Sequence, residues 1–240
     1  MATNVKWIKK INYKDIIIIY TLWFSTIVFN RFFDFASFME VPNLSGFFDL
    51  LFYFAARLIF ISLFLLYFVF IYDLTFEELG ITLKSFTKKI IPLFIYFVIL
   101  IGLVILLINY PLSIDKVSRI FQPIYKVLTM EVFVQSLLSL LLVFPVYFII
   151  ALSEQMMLNL FVYEIFKFKI PKFAARFFSA LFFSFLVYHL QPDRIIVYFI
   201  LALISMTLYE RSERSVIVPA FFGAGFYLIY SFYIYGWSFI

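Results

Sequence analysis

Long apolar runs alternate along this chain with short polar segments that are mostly basic. Seven of the runs approach the roughly 20 residues that an α-helix needs to cross a bilayer. They lie near residues 15–33, 47–72, 90–112, 132–166, 173–190, 195–209 and 215–240. The pattern therefore predicts an all-α fold, a polytopic transmembrane helical bundle of about seven spans (roughly six to eight).

The fourth run leaves two alternatives open. Residues 132–163 carry a single charge, and the run is longer than one untilted crossing requires. It also contains Pro145, and proline removes a backbone hydrogen bond and kinks a helix. The run is either one long bent helix or two packed segments, and two crossings would move every later loop to the other side of the membrane.

Basic residues in the loops predict the orientation. With a cytoplasmic N-terminus, thirteen lysines and arginines fall on the inside and five on the outside, as the positive-inside rule requires. The inside set is Lys6, Lys9, Lys10, Lys14, Lys84, Lys88, Lys89, Lys167, Lys169, Lys172, Arg176, Arg211 and Arg214. The outside set is Arg31, Lys116, Arg119, Lys126 and Arg194. We expect a multi-pass protein of a bacterial plasma membrane, with an uncleaved first span because no small-x-small cleavage site follows it.

Two amphipathic segments separate the early runs. Residues 73–89 open with a T-x-x-E capping box, Thr75 and Glu78, and predict a short interfacial helix or hook. Residues 113–131 have a similar mixture of apolar and charged residues. We divide the chain into N-terminal transmembrane helices, residues 1–131, and a core, residues 132–240.

Composition narrows the function classes. Apolar residues make up 65% of the chain and charged residues 14%, which indicates the lipid bilayer as the surrounding medium. The net charge of +5 lies in loops, where topology explains it, so we expect no nucleic-acid partner. Cysteine is absent and His189 is the single histidine, which excludes thiolate zinc sites and sites with two imidazoles. We expect no cofactor.

The stretch LSEQMMLNLF places Glu154, Gln155 and Asn159 inside an apolar run. Counted from the basic turn at residues 167–172, Glu154 and His189 lie about 24 and 28 Å along two antiparallel helices, at nearly the same membrane depth. They are therefore predicted to face each other. Either Glu154 activates a water as general base while His189 assists, or a Glu–His hydrogen bond merely fixes helix packing.

Two further polar features lie inside the apolar runs. Gln155 and Asn159, at i and i+4, share a helix face and can bond to each other or to a neighbouring helix. Arg57 interrupts the second run, where a lone charge is costly, so we expect it to pair with a carboxylate such as Asp49 or with a neighbouring helix.

These residues resemble the motifs of the CPBP (Abi) intramembrane proteases, which include CAAX prenyl endopeptidases, bacteriocin self-immunity proteins and the lysostaphin resistance protein A group. EQMMLN at residues 154–159 resembles the first motif, E-E-x-x-x-R, and FLVYH at residues 185–189 matches the second, F-x-x-x-H. LYERSERSVIVPAFFGAGFY at residues 208–227 has the frame of the third motif. There Gly223 stands where a histidine would fall, and Phe226 and Tyr227 lie near the expected asparagine.

The resemblance implies that Glu154 activates a water and His189 assists it, with Gln155, Asn159, Phe185 and Tyr188 in support. The second glutamate has become Gln155 and the arginine Asn159, so a charged pair has become a neutral one. The third-motif polar pair, which would stabilise an oxyanion, is missing from residues 219–227. Small residues occupy this place and predict a helix-packing surface: Ala220, Gly223, Ala224 and Gly225.

The expected function is therefore that of a pseudoenzyme, a non-catalytic partner or regulator of another membrane protein, as in the lysostaphin resistance protein A group. The alternative is an active CPBP-type endopeptidase that uses Glu154 and His189, and only this alternative leaves zinc possible as a cofactor. Zinc usually takes three protein ligands, and the chain offers these two. A transporter or channel subunit fits less well. A wet cavity between the two residues would favour the protease, and an aromatic filling would favour the partner.

Overall fold

The computed structural model describes residues 8, 10–32, 45–82, 130–188 and 192–235, and every regular element in these ranges is helical. The expected all-α class is confirmed for this part of the chain. The elements are α1 (Tyr13–Phe32), α2 (Ser45–Tyr72), α3 (Met130–Gln155), a π-helical segment (Met156–Tyr163), α4 (Glu164–Lys169), α5 (Lys172–Tyr188), α6 (Pro192–Arg211) and α7 (Ile217–Tyr235).

Two stretches of helix among the described residues are long and apolar enough to cross a membrane, Leu51–Tyr72 and Val143–Lys169. The first belongs to α2, and the second runs from α3 through α4. The expected third span, residues 90–112, and the amphipathic segment at residues 113–131 lie mostly or wholly outside the described residues. The bundle of about seven spans therefore stays a prediction.

The fourth apolar run forms one continuous helix, which is the first of the two alternatives. The backbone is right-handed helical on both sides of the π-helical segment, at Gln155 (φ −69°, ψ −34°) and at Glu164 (φ −67°, ψ −34°). Pro145 lies inside α3, and the chain does not reverse there. At about 1.5 Å per residue this continuous helix is about 60 Å long, roughly twice the thickness of a hydrocarbon core.

The turn after the continuous helix follows from its sequence. Proline disfavours the helical conformation of the residue before it, and Ile170, which precedes Pro171, is extended (φ −135°, ψ 161°). The chain then begins α5 at Lys172. This short connection makes α4 and α5 neighbours.

Among the described residues, one of the buried clusters joins the early helices to the later ones through aromatic side chains. Trp23 of α1 packs against Phe60 of α2 and Phe183 of α5, with ring centroids 5.0 and 6.2 Å away. Phe161 of the π-helical segment belongs to the same buried cluster. Elsewhere α7 packs along α3, and α5 along α6. These contacts place α1, α2, α5 and α7 around the continuous helix.

Residues 73–82 form a hook, and its capping box is confirmed. The Thr75 N–H donates to Glu78 Oε2 (2.9 Å), and the Glu78 N–H donates to Thr75 Oγ1 (3.3 Å). A turn follows the box instead of the short helix that was one of the two expectations. The remainder of the predicted segment, residues 83–89, lies outside the described residues.

The hook is attached to the turn between α6 and α7. The Val216 N–H donates to the Gly80 carbonyl (2.9 Å), and Ser215 Oγ donates to the Thr82 carbonyl (2.7 Å). Gly80 has φ +72°, and a Cβ there would lie 2.3 Å from the carbonyl oxygen of Arg214. Only glycine fits this contact.

Candidate functional site: a buried carboxylate and its surroundings

Glu154 lies near the end of α3 and is 4% exposed. The Tyr227 hydroxyl of α7 donates a hydrogen bond to Glu154 Oε2. Glu154 Oε1 is buried and has no hydrogen-bond partner. A buried carboxylate oxygen without a partner is costly, so the groups around Glu154 determine how it is tolerated there.

The small residues of α7 allow it to approach α3 closely enough for the Tyr227 contact. A Cβ built on Gly223 would lie 3.1 Å from Ala151 Cβ and 3.8 Å from Gln155 Nε2. Ala220 and Ala224 are fully buried, and Gly225 is buried as well. Tyr227 follows Gly223 by one helical turn and so lies on the same face of α7.

The two amides beside Glu154 form a pair. Asn159 Nδ2 donates to Gln155 Oε1 (2.7 Å) in a buried position. Asn159 Oδ1 remains without a partner. The neutral pair thus occupies the place that the resemblance gives to a glutamate and an arginine, and it requires no compensating charge in the interior.

Arg57 is 1% exposed and lies in an aromatic and hydroxyl environment. Its guanidinium carbon is 4.0 Å from the Trp23 ring centroid and 4.6 Å from that of Tyr53. Nη1 donates to Thr26 Oγ1 of α1 (3.3 Å), which is contact with a neighbouring helix, one of the two expectations. The side chain of Asp49, the other expected partner, lies outside the described part.

Arg57 is also close enough to Glu154 for the two charges to interact without touching. Sequence reasoning missed this relation, together with the roles of Trp23 and Tyr53. A signal was present: Arg57 is the one basic residue of its apolar run and Glu154 the one acid of residues 132–163. Opposite charges inside apolar helices tend to approach each other.

A small cavity adjoins Glu154. The volume open to the centre of a water-sized sphere is about 20 Å³. Holding one water requires about 10–15 Å³ by that measure. The polar lining is Glu154, Gln155 and Ser205, and the aromatic lining is Phe183, Tyr198, Phe222, Phe226 and Tyr227. The cavity therefore has room for about one water.

The aromatic side chains that line the cavity also contact one another. The ring centroid of Tyr198 is 5.9 Å from that of Phe226 and 6.4 Å from that of Tyr227. These are ordinary packing distances for aromatic pairs.

The second-motif residues are placed only in part. His189 lies outside the described residues, as does the side chain of Tyr188, so the facing of Glu154 and His189 stays a prediction. Phe185 is 50% exposed and does not line the cavity, whereas Phe183 of the same helix does. Across the described residues, no three acidic, histidine or cysteine side chains form a group that could hold a metal.

A second set of charges, the end cluster, lies where the continuous helix ends. Glu210 of α6 contacts Lys167 (3.4 Å) and Lys172 (2.8 Å) and accepts hydrogen bonds from Arg176 and Tyr163. Glu164 contacts Lys167 (3.7 Å) and Arg214 (3.5 Å). Sequence reasoning counted these cations for topology alone. The end cluster comprises Glu164, Lys167, Lys172, Arg176, Glu210 and Arg214.

Comparison of the chain with protein-family models, with curated proteins and with solved structures found no match in any of the three.

Proposed function

We propose that this chain is a degenerate protein of the CPBP type that acts as a non-catalytic partner or regulator of another membrane protein. The motif resemblances at residues 154–159, 185–189 and 208–227 support the family, and the losses within them support the loss of catalysis. The observation that carries the proposal is the cavity beside Glu154, which aromatic side chains line and which has room for only about one water.

Peptide hydrolysis requires more room and more donors than the described residues around Glu154 offer. A scissile carbonyl must lie within about 3 Å of the attacking water, and its developing oxyanion needs pre-positioned donors. The Tyr227 hydroxyl, which could be such a donor, is bonded to Glu154. Loss of one donor typically costs about 100- to 1000-fold in rate.

Cleavage is the first readout. The full chain is reconstituted with Zn²⁺ in lipid nanodiscs together with a library of transmembrane peptides, and new peptide termini are sought by mass spectrometry. We expect none for the wild type. Cleavage that is present in the wild type and absent in Glu154→Gln would refute the proposal.

Partner contact is the second readout. A photo-crosslinking amino acid replaces Phe178 or Phe185, exposed on α5, or Phe70, exposed on α2, in native membranes. We expect a discrete protein adduct from one of these faces and an unchanged adduct when Glu154→Gln is added. Lipid adducts alone from every face would contradict a stable partner.

The second candidate is an active intramembrane endopeptidase, which one observation favours. Glu154 Oε1 has no partner, and Glu154 lines a cavity with room for a water. In this proposal Glu154 activates that water and His189 assists. Glu154→Gln and His189→Ala would then both abolish cleavage in the nanodisc assay while the helix content stays unchanged. The non-catalytic proposal predicts that the wild type has no cleavage activity, so neither variant can lose any.

A further inference from the structure

The end cluster lies at the boundary of an apolar helix. The apolar stretch Val143–Lys169 finishes inside it, and α5 begins at Lys172. If this helix crosses a bilayer, the cluster lies at the level where acyl chains meet lipid headgroups. This placement of the end cluster does not depend on the function proposed above.

The cluster contains more positive than negative charge. Its four cations are Lys167, Lys172, Arg176 and Arg214, and its two carboxylates are those of Glu164 and Glu210. Four positive charges minus two negative charges leave a net charge of +2.

The two signs of charge are also separated by depth. The side chains of Glu164 and Glu210 are 3% and 11% exposed. Those of Lys167, Arg176 and Arg214 are 26%, 28% and 30% exposed, and that of Lys172 is 59% exposed. The carboxylates therefore lie beneath, and the outer surface of the cluster is cationic.

Arg176 has a further unused donor. One terminal nitrogen of its guanidinium donates to Glu210, whereas Nε has no acceptor and is buried beneath the surface. An oxygen-rich anion with several acceptors could share the outer donors of the cluster, as phosphate groups do with arginine and lysine.

Exposed phenylalanines flank the cationic surface. Phe168 is 58% exposed and Phe173 is 83% exposed, and they stand beside Lys167 and Lys172 in the sequence. Such rings are unfavourable in water and favourable beside acyl chains. Cations together with exposed aromatic rings match a lipid that has a charged headgroup and apolar tails.

We propose that the end cluster binds the phosphate of an anionic phospholipid, with Lys172 and Arg176 on the headgroup and Phe173 against an acyl chain. Charge complementarity favours an anionic lipid over a zwitterionic one. Each cation near such a headgroup contributes about a fivefold change in affinity.

The test measures lipid retention by native mass spectrometry of the full chain in detergent micelles. The micelles contain equal amounts of dioleoyl phosphatidylglycerol and dioleoyl phosphatidylcholine. We expect the wild type to retain phosphatidylglycerol preferentially. The double variant Lys172→Gln/Arg176→Gln should bind it about 25-fold more weakly, at about fivefold per charge.

Lys14→Gln is the matched control, because Lys14 is exposed at the start of α1, outside the end cluster. We expect it to keep the wild-type preference. Equal losses in Lys14→Gln and in the double variant would overturn the proposal, since they indicate general charge attraction. An unchanged preference in the folded double variant would overturn it too.

If the double variant fails to fold, a variant that is expected to bind the lipid more tightly still tests the proposal. Glu213 is exposed and precedes Arg214, so Glu213→Gln removes a negative charge beside the cluster. We expect about fivefold tighter retention of phosphatidylglycerol. No gain would contradict a headgroup site here. Displacement by inorganic phosphate without any acyl-chain dependence would also overturn the lipid proposal.

Discussion

Two carboxylates on one continuous helix differ in the number of polar groups that surround them. Glu154, in the interior, has one tyrosine hydroxyl as its hydrogen-bond partner and one arginine at a distance. Glu164, farther along the same helix, belongs to the end cluster, in which two acids contact four cations. The first site has few polar groups and the second has many.

The difference shows at which site a lost polar contact can be replaced by another. In the interior, removing one polar group leaves another buried without a partner, which costs about 1–3 kcal/mol and more for a charge. In the end cluster, neighbouring cations and the polar surface can replace a lost contact. We therefore expect large effects of single substitutions at the interior site and small effects in the end cluster.

Arg57→Met is expected to have the largest effect. It leaves Glu154 without a nearby positive charge and Thr26 without its donor. Removing one partner of buried charges costs about 3–5 kcal/mol. Reversible unfolding in mixed micelles measures this loss. An effect below about 1 kcal/mol would erase the contrast between the two sites.

The double variant Arg57→Met/Glu154→Gln isolates the coupling between these two residues. If the two charges depend on each other, the double variant should lose less stability than the sum of the single variants, by about 0.5–3 kcal/mol. Strict additivity in the same unfolding assay would show that Arg57 acts through Thr26 and the aromatic rings alone.

Gly223→Ala is expected to have the next largest effect. The added Cβ would lie 3.1 Å from Ala151 Cβ and push α7 away from α3, which also lengthens the contact of Tyr227 with Glu154. Overpacking of this kind costs about 1–3 kcal/mol. The swap Ala151→Gly/Gly223→Ala moves the methyl group to the other helix and should restore most of the unfolding free energy. A swap no more stable than Gly223→Ala would contradict a close contact at this position.

Glu210→Gln tests redundancy in the end cluster. The amide oxygen can still accept the Tyr163 hydroxyl, and the partly exposed cations can be solvated. We expect a loss of about 1 kcal/mol or less, smaller still at high salt because exposed charges are screened. A loss as large as that of Arg57→Met, measured in the same micelles, would remove the distinction between the sites.

Loss of the capping box in the hook is expected to have the smallest effect on stability. Glu78 in this box also serves as the exposed acid with which the buried acids are compared. Hydrogen bonds from the backbone and side chain of Thr75 lower the pKa of Glu78 below its ordinary value. Because the folded-state pKa is lowered, the box stabilises the hook above the ordinary carboxyl pKa and loses this effect as pH falls through the lowered value. The protection of the hook amides, measured as their hydrogen-exchange rates relative to those of an unstructured chain at each pH, should fall in that acidic window, and Glu78→Gln should abolish this pH dependence of the protection.

Local sequence features predicted much of the fold. Apolar runs located the helices of the described residues, Pro171 located the turn after the continuous helix, and i,i+4 spacing placed Gln155 and Asn159 on one face. T-x-x-E spacing located the capping box. Each of these follows from contacts within a few residues, which sequence patterns report directly.

Contacts between helices could not be predicted in the same way. Tyr227 meets Glu154 across 73 positions of sequence, and Arg57 reaches Thr26 across 31. Periodicity identifies the buried face of a helix but not the helix that covers it. The interior site therefore depends on the packing of α7 against α3 and of α1 against α2, which the sequence pattern does not specify.

The π-helical segment at Met156–Tyr163 has a consequence for the angular phase of the two acids. Its wider turns accommodate an extra residue between Glu154 and Glu164. If every residue were kept but the segment became α-helical, the extra residue would rotate α4 by about 100° about the helix axis. Glu164 would then turn away from Arg214 while Glu154 kept its place, so this short segment sets the azimuth at which the protein presents its charged end.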